Sequence, residues 1–195
     1  MAVALPTDIA PIAYNPSLID FGGELTPILG GPVQRINRLG DRWAVEVTLP
    51  PLKGDEARIW ISRLTHGRAS SCLLPWPQPI GVGGEGAPRV NGAGQAGKLL
   101  SIDGLPAGKV LPEGVFLSIV GANRRYLHQL IAERTANGSG EVTLAIEPAL
   151  RISPSDNAVV ELAAPMIDGL VQGGVAWSVD LAREHGLTFT LVERE

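Results

Sequence analysis

The sequence predicts a mainly β protein: a sandwich or small barrel of short antiparallel strands, with one α-helix at about residues 55–66 and a long Gly/Pro-rich loop. Three observations predict it. The 195 residues include 24 Gly and 16 Pro but only 5% aromatics, a mix that suits many short strands and tight turns better than long helices. From Leu99 to Pro165, short apolar runs alternate with turn sequences such as Gly104-Leu105-Pro106-Ala107-Gly108, Gly121-Ala122-Asn123, Asn137-Gly138-Ser139-Gly140 and Pro154-Ser155-Asp156-Asn157. Arg42 to Leu49 alternates with period two. Trp43, Val45, Val47 and Leu49 lie on one face and Arg42, Ala44, Glu46 and Thr48 on the other, the pattern of a half-buried strand.

Taken in order, residues 1–32 read as an extended N-terminal arm. Pro6, Pro11, Pro16, Pro27 and Pro32 block helix and remove sheet donors, leaving room for one short strand near Ser17 to Phe21. Residues 33–195 form the β-rich domain. Its first elements, Val33 to Leu39 and Arg42 to Leu49, are expected to pair as a hairpin through Gly40-Asp41. Asp55 to His66 follows as the helix. Asp55 serves as its cap, Ala57, Trp60, Ile61 and Leu64 form its apolar stripe, and Gly67 forms its stop.

Residues 75–98 come next as the long loop. Pro75-Trp76-Pro77-Gln78-Pro79 is stiff and extended, and the glycine-rich run beyond it holds too few apolar side chains to fold alone. The strands of the central run are placed at Leu99 to Asp103, Val115 to Val120, Arg124 to Glu133, Val142 to Ile146 and Val159 to Ala163. Met166 to Gln172 and Val175 to Asp180 suggest a second hairpin through Gly173-Gly174. Leu181 to His185 suggests a single helical turn, and Leu187 to Val192 the last strand.

Charge and cysteine content narrow the function. Sixteen Lys+Arg against 20 Asp+Glu leave a formal net charge of −4, with no basic excess for phosphate contacts, so nucleic acid is not an expected partner. No polybasic or basic amphipathic run points to a membrane surface, and no window of about 18 apolar residues could span one. Cys72 is the one cysteine, which excludes an internal disulfide and a cysteine-based zinc site and fits folding in a reducing cytoplasm. The first residues lack the positive region and long apolar run of a signal peptide.

Motifs that mimic chemistry fail on context. Gly81-Val82-Gly83-Gly84-Glu85-Gly86 has the spacing of a dinucleotide fingerprint, but prolines flank it where a strand and a helix are needed. Gly92 to Lys98 approaches a phosphate loop, but Leu99 stands where a magnesium-binding hydroxyl belongs and strand, not helix, follows. His66, His128 and His185 have no ligand spacing, and His128 reads as a packed or interface residue. Gly138-Ser139-Gly140 is a turn rather than a nucleophile elbow. The carboxylates fall on turns and polar strand faces, Cys72 reads as a small buried apolar residue, and Asn137-Gly138-Ser139 matches a glycosylation sequon only by pattern. No catalytic, metal-binding or cofactor-binding residue is expected, and the chain is not expected to be an enzyme.

Contact residues are the remaining candidates. Arg124, Arg125 and Tyr126 begin a strand directly after a turn, and Arg and Tyr are favoured anchors in protein–protein contacts. Of the four tryptophans, Trp43, Trp60 and Trp177 sit on apolar faces, which leaves Trp76 as the free one and the fourth interface candidate. An exposed Trp76 would also suit a sugar-stacking platform, so a carbohydrate- or receptor-binding β module is the alternative.

Three passages together resemble a known group of proteins. The first is Gln34 to Pro51, with Arg38-Leu39-Gly40-Asp41-Arg42-Trp43. The second runs from Gly114-Val115-Phe116-Leu117-Ser118-Ile119 through Arg124-Arg125-Tyr126-Leu127-His128 to Asn137-Gly138-Ser139-Gly140. The third is Ile146-Glu147-Pro148-Ala149-Leu150-Arg151, continuing to Val159 to Ile167. They resemble the virion-associated tail-tip proteins, the distal tail protein group, of long-tailed phages (siphophages and prophages). The resemblance spans roughly residues 33 to 195. It implies a structural virion protein: a β-sandwich or β-barrel subunit that forms a homo-oligomeric ring at the distal end of the tail tube and connects it to hub and fibre proteins. Such a protein is made in the host cytoplasm and ends in the virion tail.

Overall fold

Strands supply most of the regular secondary structure, as the sequence predicts. The computed structural model describes residues 2–36, 38–78 and 81–194. Asn37 of the expected first hairpin, Pro79 of the stiff stretch and Ile80 of the loop lie outside the described residues. In chain order the elements are β1 (Val3–Ala4), β2 (Ala13–Ile19), β3 (Gly23–Leu25), β4 (Gln34–Ile36), β5 (Arg42–Thr48), α1 (Gly54–Ser70), β6 (Cys72–Pro75), β7 (Arg89–Val90) and β8 (Gly97–Asp103). They continue as β9 (Val110–Leu111), β10 (Phe116–Gly121), β11 (Arg124–Leu130), β12 (Arg134–Thr135), β13 (Val142–Leu150), β14 (Val160–Glu161), β15 (Met166–Val171), β16 (Trp177–Val179) and β17 (His185–Glu193).

Two sheets carry the fold. The first has the order β1-β6-β15-β17-β5-β2, with β16 added on β17. Its pairings are antiparallel except β1 with β6. The second has the order β14-β10-β11-β13-β8-β7 and curls towards closure. Its two outer strands meet through a bridge between Arg89 and Val159, flanked by hydrogen bonds from Val90 N–H to the Ala158 carbonyl (2.9 Å) and from Val160 N–H to the Pro88 carbonyl (3.1 Å). The second sheet is therefore a small, nearly closed barrel, an arrangement that leaves few strand edges free to pair elsewhere. Two ribbons, β3–β4 and β9–β12, complete the set.

Alternation along the strands separates two cores. Leu117 and Ile119 of β10 fill the barrel with Val90, Leu100, Ile102, Leu144 and Ile146. Phe116 and Leu127, on the opposite faces of β10 and β11, pack outward against the first sheet and its helix, among Trp43, Val45, Val47, Trp60, Leu64, Ile167 and Leu191. Fully burying one such side chain contributes about 1.5–3 kcal/mol.

The helix is longer than its local signals. It starts at Gly54 with the Glu56 carboxylate accepting from Lys53 N–H (3.1 Å), so Lys53 rather than Asp55 holds the cap position. It buries Ala57, Trp60, Leu64 and Gly67. Gly67 does not stop it. That glycine lies inside the helix against Cys72, where an added Cβ would come 2.0 Å from Sγ. Its smallness serves close packing, and the helix continues to Ser70, whose carbonyl accepts from Arg194 Nη1 (2.9 Å).

Both expected hairpins through glycine turns are replaced by longer-range pairing. Gln34–Ile36 pairs with Gly23–Leu25, and β5 instead lies between β2 and β17. The N-terminal segment competes successfully because it matches β5 in a seven-residue register, Ala13 with Thr48 through Ile19 with Arg42. At the C-terminal end β15 pairs with β6 and β17, and β16 folds back on β17, not on β15. The Asp180 carboxylate accepts from Glu184 N–H (2.8 Å) and closes a turn where one helical turn was expected.

The Gly/Pro-rich segment is pinned at several points. Trp76 N–H bonds to the Pro165 carbonyl (2.8 Å), extending the β6–β15 ladder. The Gln78 amide stitches two strands by donating to the Phe116 carbonyl (2.7 Å) and the Leu162 carbonyl (3.0 Å) and accepting from Phe116 N–H (3.1 Å). The phosphate-loop mimic is the turn of the β7–β8 hairpin. Gln95 organises it by accepting from Ser101 N–H (2.7 Å), and Lys98 pairs with Glu147.

Candidate functional site

Three regions bear on function: the expected contact residues, two projecting apolar ribbons, and a pocket at one end of the barrel. Of the contact candidates, Trp76 is corrected. It is not a free surface ring but is 4% exposed, packed edge-on to Trp43 (ring centroids 5.6 Å apart) and against Phe116 (5.2 Å). The ladder bond to Pro165 delivers it inward, so its flanking prolines do not hold it in solvent. A sugar platform on Trp76 is removed with it.

Arg124, Arg125 and Tyr126 follow a two-residue turn in which Ala122 (φ 47°) and Asn123 (φ 62°) both take the left-handed region, the geometry that matches strand twist in hairpins. Arg125 is held within the chain. It grips Glu161 in a two-pronged pair, Nε to Oε2 at 3.0 Å and Nη2 to Oε1 at 3.1 Å. Ser118 Oγ donates to the same carboxylate (2.5 Å) and accepts from Met166 N–H (3.1 Å), which joins the barrel to β15. Arg124 borders a shallow groove with Arg42, Gln172 and Arg194. Tyr126 lies half-buried, its ring centroid 5.7 Å from the Arg151 guanidinium carbon.

The most exposed apolar side chains lie elsewhere. Ribbon β3–β4 presents Leu25 and Val33, and at its tip Ile28 and Leu29 are fully exposed (101% and 98%). The base of this ribbon is fixed. Arg35 pairs with Asp20 and lies 3.7 Å from Glu24, Phe21 N–H donates to Asp41 (2.8 Å), and the Arg42 guanidinium stacks 4.6 Å from the Phe21 ring. The second ribbon, β16–β17, exposes Trp177, Val179 and Leu181. Trp177, expected on an apolar strand face with Trp76 alone left free, is instead half exposed. The usable signal was Pro27-Ile28-Leu29-Gly30-Gly31-Pro32, two aliphatic residues framed by turn formers with no periodic partner.

The pocket sits at the end of the barrel, beneath the 150–155 segment and the 121–122 turn, and has a volume of about 250 Å³. Register places Ile119 opposite Tyr126 and Leu117 opposite His128, so Tyr126 and His128 share the barrel-facing side. His128 is 1% exposed, and its Nδ1 lies 2.8 Å from the Pro148 carbonyl. Because a carbonyl only accepts, Nδ1 carries the proton and Nε2 offers a lone pair. Burial, and then the charge of Arg151, lower the imidazole pKa to about 4, against the upward pull of the Pro148 bond. Arg151 gives one Nη2 bond to Glu193; its Nε and Nη1 are buried and find no partner among the described residues, as does His128 Nε2.

Elsewhere, Cys72 is buried, as expected. Its thiol is pushed up to about 11 by burial and by Asp168, so it is no nucleophile at neutral pH. Among the described residues no three His, Cys, Asp or Glu side chains are grouped to hold a metal ion, and no helix is long and apolar enough to cross a membrane.

No family model matches this chain, and no curated protein matches it.

Proposed function

We propose that the protein is a structural subunit of a phage tail, forming a ring at the distal end of the tail tube and connecting it to hub and fibre proteins. The observation that supports this reading is the pair of apolar ribbons projecting from a rigid β body, above all the fully exposed Ile28 and Leu29. An isolated subunit gains nothing from holding two aliphatic side chains in water at the tip of a ribbon whose base is fixed by ion pairs; a neighbour that covers them gains their burial. A head-to-tail contact in which each ribbon lies on the next copy closes into a ring when the rotation divides a full turn. The passages that resemble tail-tip proteins point the same way. On this reading the chain has no catalytic role and takes its place in the virion.

The test is the mass of the purified chain in solution, alone and mixed with the tail-tube and hub proteins of the same particle. Rings or stable complexes support the reading. A strict monomer that binds neither partner sinks it.

A further inference from the structure

A fully exposed aliphatic tip and an open apolar pocket occur on the same chain, and neither serves the isolated subunit. Gly30 N–H bonds to the Pro27 carbonyl (3.3 Å), closing a turn with Ile28 and Leu29 at its two central positions. The strands behind this turn have three residues each, and a two-stranded ribbon in water is marginal unless something covers it. With its base fixed by Arg35 on Asp20 and by Arg42 on Phe21, the ribbon holds the tip clear of its own subunit.

The barrel-end pocket matches the tip in chemistry and size. Leu150 and Pro154 line it from buried positions, the half-buried Tyr126 stands beside them, and Ile152, 54% exposed, adds an aliphatic side chain open to a partner. The unmatched nitrogens of His128 and Arg151 are sealed from solvent, so the surface that the pocket presents is chiefly apolar. An apolar cavity of about 150 Å³ takes a benzene-sized group. At about 250 Å³ this pocket takes the side chains of one turn and not a folded element.

Area decides between a dimer and a ring. Ile28, Leu29 and the half-exposed Leu25 and Val33 bring roughly 200–400 Å² of apolar surface, and the surface they cover brings about as much again. That stays under the roughly 1,000 Å² that a stable pair interface clears. In a closed ring each copy makes the contact twice, once through its tip and once through its pocket, and the last contact closes within one assembly. Tip and pocket are unlike surfaces on one chain, which is what a head-to-tail ring pairs. We propose that the Ile28–Leu29 tip of one copy seats in the barrel-end pocket of the next, against Tyr126, Leu150, Ile152 and Pro154. The inference rests on the ring reading and names its contact.

The experiment uses full chains carrying either Leu29→Cys or Ile152→Cys, both at exposed positions, produced together and mildly oxidised; the native Cys72 is buried and takes no part. Sedimentation reports whether the sample assembles, and a non-reducing denaturing gel reports which chains are linked. Covalent pairs between the two variants are expected, at about tenfold or more over either variant alone. Ile152→Asp, also at an exposed position, is expected to disperse the assemblies while the chain stays folded. Assemblies in which the two variants do not link, or which persist in a folded Ile152→Asp chain, overturn the tip-in-pocket contact and leave the ring standing. So does linkage of Ile152→Cys to a tail-tube or hub protein in place of the tip. A chain that stays monomeric in the presence of those proteins overturns the ring, and this contact with it.

Discussion

Glu193 and Arg151 form a buried ion pair that fastens the two layers of the fold to each other. Glu193 ends β17 of the first sheet, and Arg151 directly follows β13 of the barrel. The Glu193 carboxylate also accepts from Trp43 N–H (3.2 Å) on β5 and from Leu127 N–H (2.9 Å) on β11, so one side chain gathers two strands from each layer. Desolvation pushes its pKa up, while Arg151 and the two amide donors pull it down.

Removing one partner leaves a buried charge without its complement, which typically costs about 3–5 kcal/mol, whereas replacing both with apolar groups of similar size is often near neutral. Arg151→Met is therefore expected to destabilise severely, and Arg151→Met combined with Glu193→Leu to recover much of the loss. Urea unfolding of the three proteins checks it. A single variant as stable as the parent would mean that the pair does not join the layers.

Gly67 and Cys72 make a second prediction. Gly67→Ala adds a methyl where Sγ already sits, and overpacking of this kind costs typically 1–3 kcal/mol, more than alanine's better helix propensity of about 1 kcal/mol returns. Pairing it with Cys72→Gly removes the obstructing sulfur, so the double variant should show a smaller penalty than the sum of the singles. Denaturation midpoints for the cycle decide the matter.

His128 sets a pH dependence. Its folded pKa of about 4 lies below the ordinary value of 6.5, so between those limits the unfolded chain binds the extra proton. Stability from this group is full above pH 6.5 and falls as the pH drops to about 4, by roughly 3 kcal/mol in all. Glu193, with its pKa raised, acts in the opposite sense: its contribution is full below its ordinary 4.5 and is lost as the pH rises through the folded value. Arg151 faces both groups. Comparing the parent with His128→Gln isolates the histidine, and the slope of stability against pH between 4 and 6.5 should flatten in the variant. A direct titration of the His128 ring that gave an ordinary pKa would contradict the buried neutral imidazole.

Strand positions were legible in the sequence and pairing partners largely were not. The period-two face of Trp43, Val45, Val47 and Leu49 is buried as the alternation requires, because which side chains turn inward is a local property of an extended chain. Which strand lies beside which is settled by contacts far apart in sequence. Gly40-Asp41 and Gly173-Gly174 are competent turns, yet β2 matches β5 over seven residues and β17 takes in both β15 and β16. The same limit hid the site. Trp76 between two prolines looks exposed until its amide is seen on Pro165, and the convergence of Arg151, Glu193 and His128 depends on β17 of the first sheet meeting β11 and the end of β13 of the barrel. The exposed Ile28-Leu29 tip left a trace in composition alone, apolar residues inside a turn sequence.

That tip carries the last prediction. Ile28 and Leu29 bury nothing within the subunit, so Ile28→Asp with Leu29→Asp should leave stability within about 0.5 kcal/mol of the parent, as for other surface changes away from structural features. If the ribbon covers a neighbouring copy, the same substitutions place two carboxylates in an apolar contact, and desolvating them without partners opposes association strongly. Sedimentation of parent and variant at matched concentration separates the outcomes. Parent assemblies that disappear in a normally folded variant assign the ribbon to the contact. Assemblies that persist unchanged move the contact elsewhere, with the Trp177, Val179 and Leu181 ribbon the next surface to substitute.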